Sequence, residues 1–144
     1  MKAGGFVTLG LALIFVALVA HRIWRYATYD ARAMTVTMPQ PVADEDERQL
    51  YLSPGGSYTA ADIAANGSAL PSQKFRTFQA SHNYQPQPGD RLCPVTRTKA
   101  NRDCTWIIAG QEYEFCCPPC IAEFVRLAKQ RPAEIKPPEA YVQE

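Results

Sequence analysis

The first pattern along the chain is an unbroken apolar run. From Ala3 to Ala20, eighteen consecutive residues carry no charge, and as a helix they would reach about 27 Å, close to the hydrocarbon thickness of a bilayer. The run is apolar on every face, unlike the one-sided helix of a soluble core. Trp24 and Tyr26, beside Arg22 and Arg25, have the composition of a membrane interface. The pattern therefore predicts a transmembrane anchor over residues 1–25. A cleaved leader is the rival reading, and its small-x-small site is poor, because a cut after Ala20 places Leu18 at the −3 position.

Beyond the run, residues 26–57 show neither helical nor strand periodicity. Pro39, Pro41 and the acidic run Asp44-Glu45-Asp46-Glu47 read as a solvated linker. Ser53-Pro54-Gly55-Gly56 marks a turn, and a domain is expected over 58–144. Thr59, with Asp62 three positions later, makes a capping-box variant ahead of Ala60–Ala65, and Asn66-Gly67 supplies a left-handed stop. Residues 68–90, with Phe75, Phe78, His82 and Tyr84 among prolines and polar residues, read as an irregular wrap over the core.

The clearest alternation lies further on. Thr105–Ile108 and Glu112–Phe115 are rich in β-branched and aromatic residues about Ala109-Gly110, a hairpin pattern. Tyr113 and Phe115 share one face of the second strand, Glu112 and Glu114 the other. Pro118-Pro119 then opens a helix whose apolar stripe is Ile121, Phe124, Val125 and Ala128, with Arg126, Lys129 and Arg131 near its end and Pro132 as its stop. Together these elements predict an α+β fold in which Trp106, Tyr113, Phe115 and Phe124 are core.

Charge adds an exclusion. The net charge is +1, and residues 39–144 are slightly acidic, which argues against an electrostatic nucleic-acid binder. No Ser/His/Asp set, phosphate loop or nucleophile–base pair is visible, so no enzyme activity is expected.

The five cysteines change the picture most. All lie between Cys93 and Cys120, and an odd, clustered set suits a thiolate metal site or a redox dithiol better than a disulfide framework. Cys116 at the strand end and Cys120 in the first helical turn can converge, with Cys93 entering from a separate loop. Three soft ligands favour Zn²⁺ or Cu(I) over Mg²⁺ or Ca²⁺, and the helix N-terminus favours thiolates. Cys117, Cys104, His82 or solvent can supply a fourth position. Cys117 is expected to point away from its neighbour's site, Cys104 to be an auxiliary thiol in the polar loop Ala100–Asp103, and His82 to be an ordinary packing or surface histidine.

At this spacing a resemblance becomes specific. Cys93, twenty-two residues, Cys116, three residues and Cys120, with Gly110-Gln111-Glu112-Tyr113-Glu114-Phe115, Phe124 and Pro138-Glu139-Ala140-Tyr141, resemble the TRASH/YHS-like heavy-metal-binding domains over residues 90–142. Two departures are that Pro-Val-Thr follows Cys93 where the family has Gly-Met, and that Cys117 stands where it often has Ser. The resemblance implies a small treble-clef-like module of knuckle, β-hairpin and helix, with Cys93, Cys116 and Cys120 as ligands, used in metal trafficking, sensing or resistance and often attached to transporters or regulators.

The expectation is thus a single-pass membrane protein whose α+β domain binds zinc or copper through Cys93, Cys116 and Cys120, with Cys117 contributing a secondary share. A metal transporter or other membrane protein is the expected partner, and no nucleic acid. Arg22, Arg25 and Arg32 against Lys2 nominally favour a cytoplasmic domain; because short-tailed anchors often export the domain behind them, the exported side is expected. Two alternatives stand beside this reading: a tethered dithiol oxidoreductase using Cys117-Pro118-Pro119-Cys120, and a structural zinc module that docks a partner.

Overall fold

The computed structural model describes residues 14–25 and 36–144. Two compact units divide at Val36/Thr37. In the first, residues 14–25 are helical (α1) and expose Ile14, Phe15, Val16, Leu18, Ile23 and Trp24. Among the described residues, no helix is long and apolar enough to cross a membrane. The expected span extends into residues 1–13, and its Tyr26 and Arg32 flank into 26–35; both stretches lie outside the described residues.

The second unit is a small α+β domain. It contains α2 (Asp44–Leu52), α3 (Ala60–Ala65), α4 (Pro71–Lys74), β1 (Asn101–Ile108), β2 (Gln111–Phe115), α5 (Pro118–Gln130) and two 3₁₀ turns, Pro132–Glu134 and Pro138–Tyr141. The strands form a two-stranded antiparallel sheet with Trp106 opposite Tyr113 and Ile108 opposite Gln111. Ala109 and Gly110 join them, both at positive φ (54° and 72°), as a tight hairpin turn requires.

The alternation of β2 places Tyr113 and Phe115 inward and Glu112 outward. The stripe of α5 is buried against this face, Ile121, Phe124, Val125 and Ala128 all lying in the core. Phe124 meets Tyr113 at 4.9 Å and Phe115 at 5.8 Å between ring centroids. Tyr141, on the last 3₁₀ turn, closes the cluster edge-on, its ring centroid 6.0 Å from that of Phe124.

The capping box at Thr59 is present: the Asp62 amide donates to Thr59 Oγ1 and Asp62 Oδ2 accepts from the Thr59 amide. The same carboxylate accepts from the amides of Ala109 and Gly110 at 3.2 and 2.7 Å. Asn66, the residue that ends α3, accepts from the Ile107 amide and donates to its carbonyl at 2.9 and 2.8 Å. A helix of about two turns is marginal alone; here its polar residues clamp the hairpin.

Two expectations are corrected. Residues 44–52, assigned to a solvated linker, are helical, and α2 packs its Tyr51 against Trp106 at 5.4 Å. The acidic residues sit in the first turn of α2, where the helix dipole favours negative charge. Glu47 faces inward and accepts from the Ser72 amide and hydroxyl at 2.9 and 2.6 Å, so it caps α4 from a distance. The second correction concerns β1, which starts at Asn101 rather than Thr105; Asn101 pairs with Phe115 across an irregularity in register. Cys104 is therefore a strand residue, fully buried.

Candidate metal centre

Three local structures deliver the cysteines. Cys93 starts a tight loop in which its amide donates to the Thr98 carbonyl at 2.8 Å and its carbonyl accepts from the Arg97 amide at 2.9 Å. Arg97 takes the left-handed conformation that turns this loop (φ 59°), and its guanidinium lies 4.9 Å from the centre of the Tyr141 ring. The loop also turns Thr96 inward, so that its hydroxyl sits 3.3 Å from Cys116 Sγ and 2.8 Å from Thr98 Oγ1. Cys116 follows the end of β2, Cys117 is the N-cap of α5, and Cys120 is in its first turn.

The sulfurs converge. Cys93, Cys116 and Cys120 have their sulfurs within 4.8 Å of one another, and all three residues are completely buried. Cys116 Sγ is 3.5 Å from Cys120 Sγ and 3.7 Å from Cys117 Sγ, and Cys117 Sγ is 3.3 Å from Cys120 Sγ. A tetrahedral ion with metal–sulfur bonds of about 2.3 Å has sulfur–sulfur edges of about 3.8 Å. The observed spacings lie close to that edge, and none of the cysteines is in a disulfide.

Cys117 departs from expectation by turning toward the cluster. Pro118 holds it in an extended conformation (φ −161°, ψ 157°) at the N-cap of α5. An N-cap side chain naturally hangs over the third helical residue, which here is Cys120.

The electrostatics of the four thiols are uneven. Hydrogen bonds from Cys116 and Cys120 hold Cys117 well below the ordinary thiol value. Cys116 is also lowered: its contact with Cys117 opposes ionisation, while those with Cys120, Cys93 and the Thr96 hydroxyl prevail. Cys120 is raised by its hydrogen bonds to Cys116, Cys117 and Cys93. Cys93 is raised by its hydrogen bond with Cys116 and by burial. Within the cluster, ionisation is thus favoured at Cys117 and Cys116 and opposed at Cys93 and Cys120. Cys104 is pushed up chiefly by burial; its place in the middle of β1 makes it a packed thiol.

His82 departs from expectation more sharply. A ring nitrogen of His82 lies within 4.8 Å of the sulfurs of Cys116 and Cys117, and Nδ1 is buried without a hydrogen-bond partner. Its place in the irregular wrap carries no periodic signal. The segment is held by the Lys99 amide, which donates to the Asn83 carbonyl at 3.0 Å and so ties residue 83 to the Cys93 loop.

No protein-family model matches the chain, and neither a curated protein nor a solved structure matches it.

Proposed function

We propose that this protein binds a soft or borderline metal ion, zinc or copper, as cargo, and that Cys93, Cys116 and Cys120 hold it. The observation that carries the reading is the convergence of three fully buried sulfurs from a loop, a strand end and a helix start, all within 4.8 Å of one another, with the Cys116–Cys120 pair at 3.5 Å, near the edge of a thiolate tetrahedron. Cys117 adds a fourth sulfur at the rim. The arrangement suits the treble-clef-like module implied by the resemblance to TRASH/YHS-like domains, and with it a role in trafficking, sensing or resistance.

A cargo ion is favoured over a purely structural one by the core. Metal-dependent folding belongs to domains too small to bury enough apolar surface. This domain buries Tyr51, Tyr58, Trp106, Tyr113, Phe115 and Phe124, so its fold does not hang on the ion. The exposed apolar residues of α1 support membrane attachment, with a metal transporter or another membrane protein as the partner and the domain on the exported side.

One observation favours a second reading. Cys117 and Cys120 lie 3.3 Å apart at the N-terminus of α5, with Cys117 inclined to ionise, the arrangement of a dithiol that forms and breaks a disulfide. Elemental analysis of the protein purified anaerobically, with a disulfide-reduction assay in parallel, separates the two. Metal at about one ion per chain without catalytic turnover supports metal carriage. Turnover that disappears in Cys117→Ser, with no metal present, establishes the dithiol.

A further inference from the structure

We infer that His82 is a metal ligand, and that its imidazole forms with Cys116 and Cys117 a second donor set on the outer side of the cluster, sharing Cys116 with the inner set Cys93/Cys116/Cys120. This rests on the metal-binding reading above and gives the site its point of entry.

The starting observation is an unpaired polar atom. Nδ1 of His82 is out of contact with solvent and accepts or donates no hydrogen bond. Leaving such a group buried and unsatisfied is costly, and an orphaned buried polar atom calls for an explanation. The explanation lies beside it, since a His82 ring nitrogen and the sulfurs of Cys116 and Cys117 lie within 4.8 Å of one another. An ion at their centre would use the Nδ1 lone pair, with the imidazole proton on Nε2. Neutral imidazole is a normal partner of thiolates in zinc and copper sites.

Burial gives the two sets an order. The inner cysteines are wholly buried, whereas His82 is partly exposed and Cys117 retains 4% of its surface. An ion arriving from solvent therefore meets His82 and Cys117 first. With Cys116 common to both sets, the ion passes inward by exchanging one ligand at a time, without being released. A thiol that replaces His82 or Cys117 in the shell gives up its proton to water as its sulfur binds. Both steps are ligand substitutions without electron transfer.

The test uses the full-length chain in detergent micelles, reduced, anaerobic and given zinc alone in substoichiometric amounts. X-ray absorption on rapidly frozen samples counts nitrogen and sulfur neighbours, and ¹⁵N spectra of the labelled imidazole follow Nδ1 in the wild type without any substitution. Early after mixing, one nitrogen neighbour at about 2.0–2.1 Å and a large change in the Nδ1 resonance are expected. In His82→Ala the nitrogen neighbour disappears and zinc uptake slows several-fold, while zinc bound at equilibrium still has its inner sulfur ligands. A sulfur-only shell at all times with an unmoved Nδ1 resonance overturns the role of His82 and leaves the cysteine site standing. A nitrogen neighbour that persists in His82→Ala overturns it as well. A wild-type chain that takes up no zinc overturns the metal-binding reading, and this inference with it.

Discussion

Asp62 accepts a 2.7 Å hydrogen bond from the amide of Gly110, forty-eight positions along the chain. One buried carboxylate thereby closes the N-terminal end of α3 and holds the turn of the hairpin whose second strand leads into Cys116. Packing of the core sets where that strand lies; Asp62 sets how it turns.

Asp62→Ala removes the reciprocal cap and leaves the amides of Ala109 and Gly110 without their acceptor. The expected loss is about 2–4 kcal/mol, combining a cap of about 1 kcal/mol with the cost of unsatisfied buried donors. Urea unfolding of wild type and variant side by side measures it. A loss below about 0.5 kcal/mol would show that the clamp is idle.

Glu47 offers a contrast within four residues. It is buried and takes both the amide and hydroxyl of Ser72, while Asp44, Glu45 and Asp46 are exposed. Glu47→Ala should cost about 1–3 kcal/mol, and Asp46→Ala should stay within about 0.5 kcal/mol. Equal effects from the two substitutions would return the whole run to the status of a solvated surface.

The cysteines should separate by place rather than by residue type. Cys93→Ala, Cys116→Ala and Cys120→Ala each remove a convergent sulfur and should abolish tight zinc binding, measured by competition with a chromophoric chelator. Cys104→Ala, in the middle of β1, should leave metal content unchanged and cost only the packing of a small apolar group, about 1 kcal/mol. Loss of metal in the Cys104 variant, with the inner three dispensable, would move the site.

Metal binding should release protons. Cys93 and Cys120 are raised above the ordinary thiol value, whereas Cys116 and Cys117 are lowered. Thiolate ligation must displace the protons that remain, so about two should appear per ion near neutral pH, and affinity should fall as pH falls. Titration in weakly buffered solution with an indicator dye reads the number directly. A proton count near zero would contradict thiolate ligation by Cys93 and Cys120.

Alkaline pH should unfold the domain. Burial raises Tyr51, Tyr58 and Tyr141 above 10.0 and carries Tyr113 to about 12. Groups raised in the folded state contribute stability that is whole below the unfolded value and is lost as pH climbs through the folded one. Unfolding midpoints should therefore hold to about pH 10 and decline steadily toward 12, with tyrosinate absorbance rising together with loss of structure. Tyrosines that ionise at 10.0 with no change in midpoint would argue against their burial.

Much of this domain is legible in its sequence because the decisive signals are local. The alternation around Ala109-Gly110 marks the hairpin, the stripe from Ile121 to Ala128 marks α5, and Thr59 with Asp62 marks the start of α3. What stays hidden depends on partners distant along the chain. The helix of residues 44–52 has a weak apolar face, and its inward Glu47 makes sense only once Ser72 is beside it. His82 carries no motif, and its proximity to Cys116 and Cys117 depends on the pairing of residue 83 with Lys99. Cys117 eludes a reading of the sequence for a geometric reason: treated as the next strand residue it points away from Cys116, but as an N-cap it swings over Cys120.

The burial of the cysteines also bears on how such a chain survives oxidation. Thiol–disulfide exchange needs an attacking sulfur that can reach its target in line. Four of the five cysteines have no exposed surface and Cys117 has 4%. A folded copy therefore presents almost nothing for a thiol on another chain to attack. Despite an odd number of cysteines, two neighbouring molecules at high local density can collide without becoming covalently joined, and a stray oxidant meets Cys117 first, next to Cys120, with which it closes a reversible bond inside its own chain.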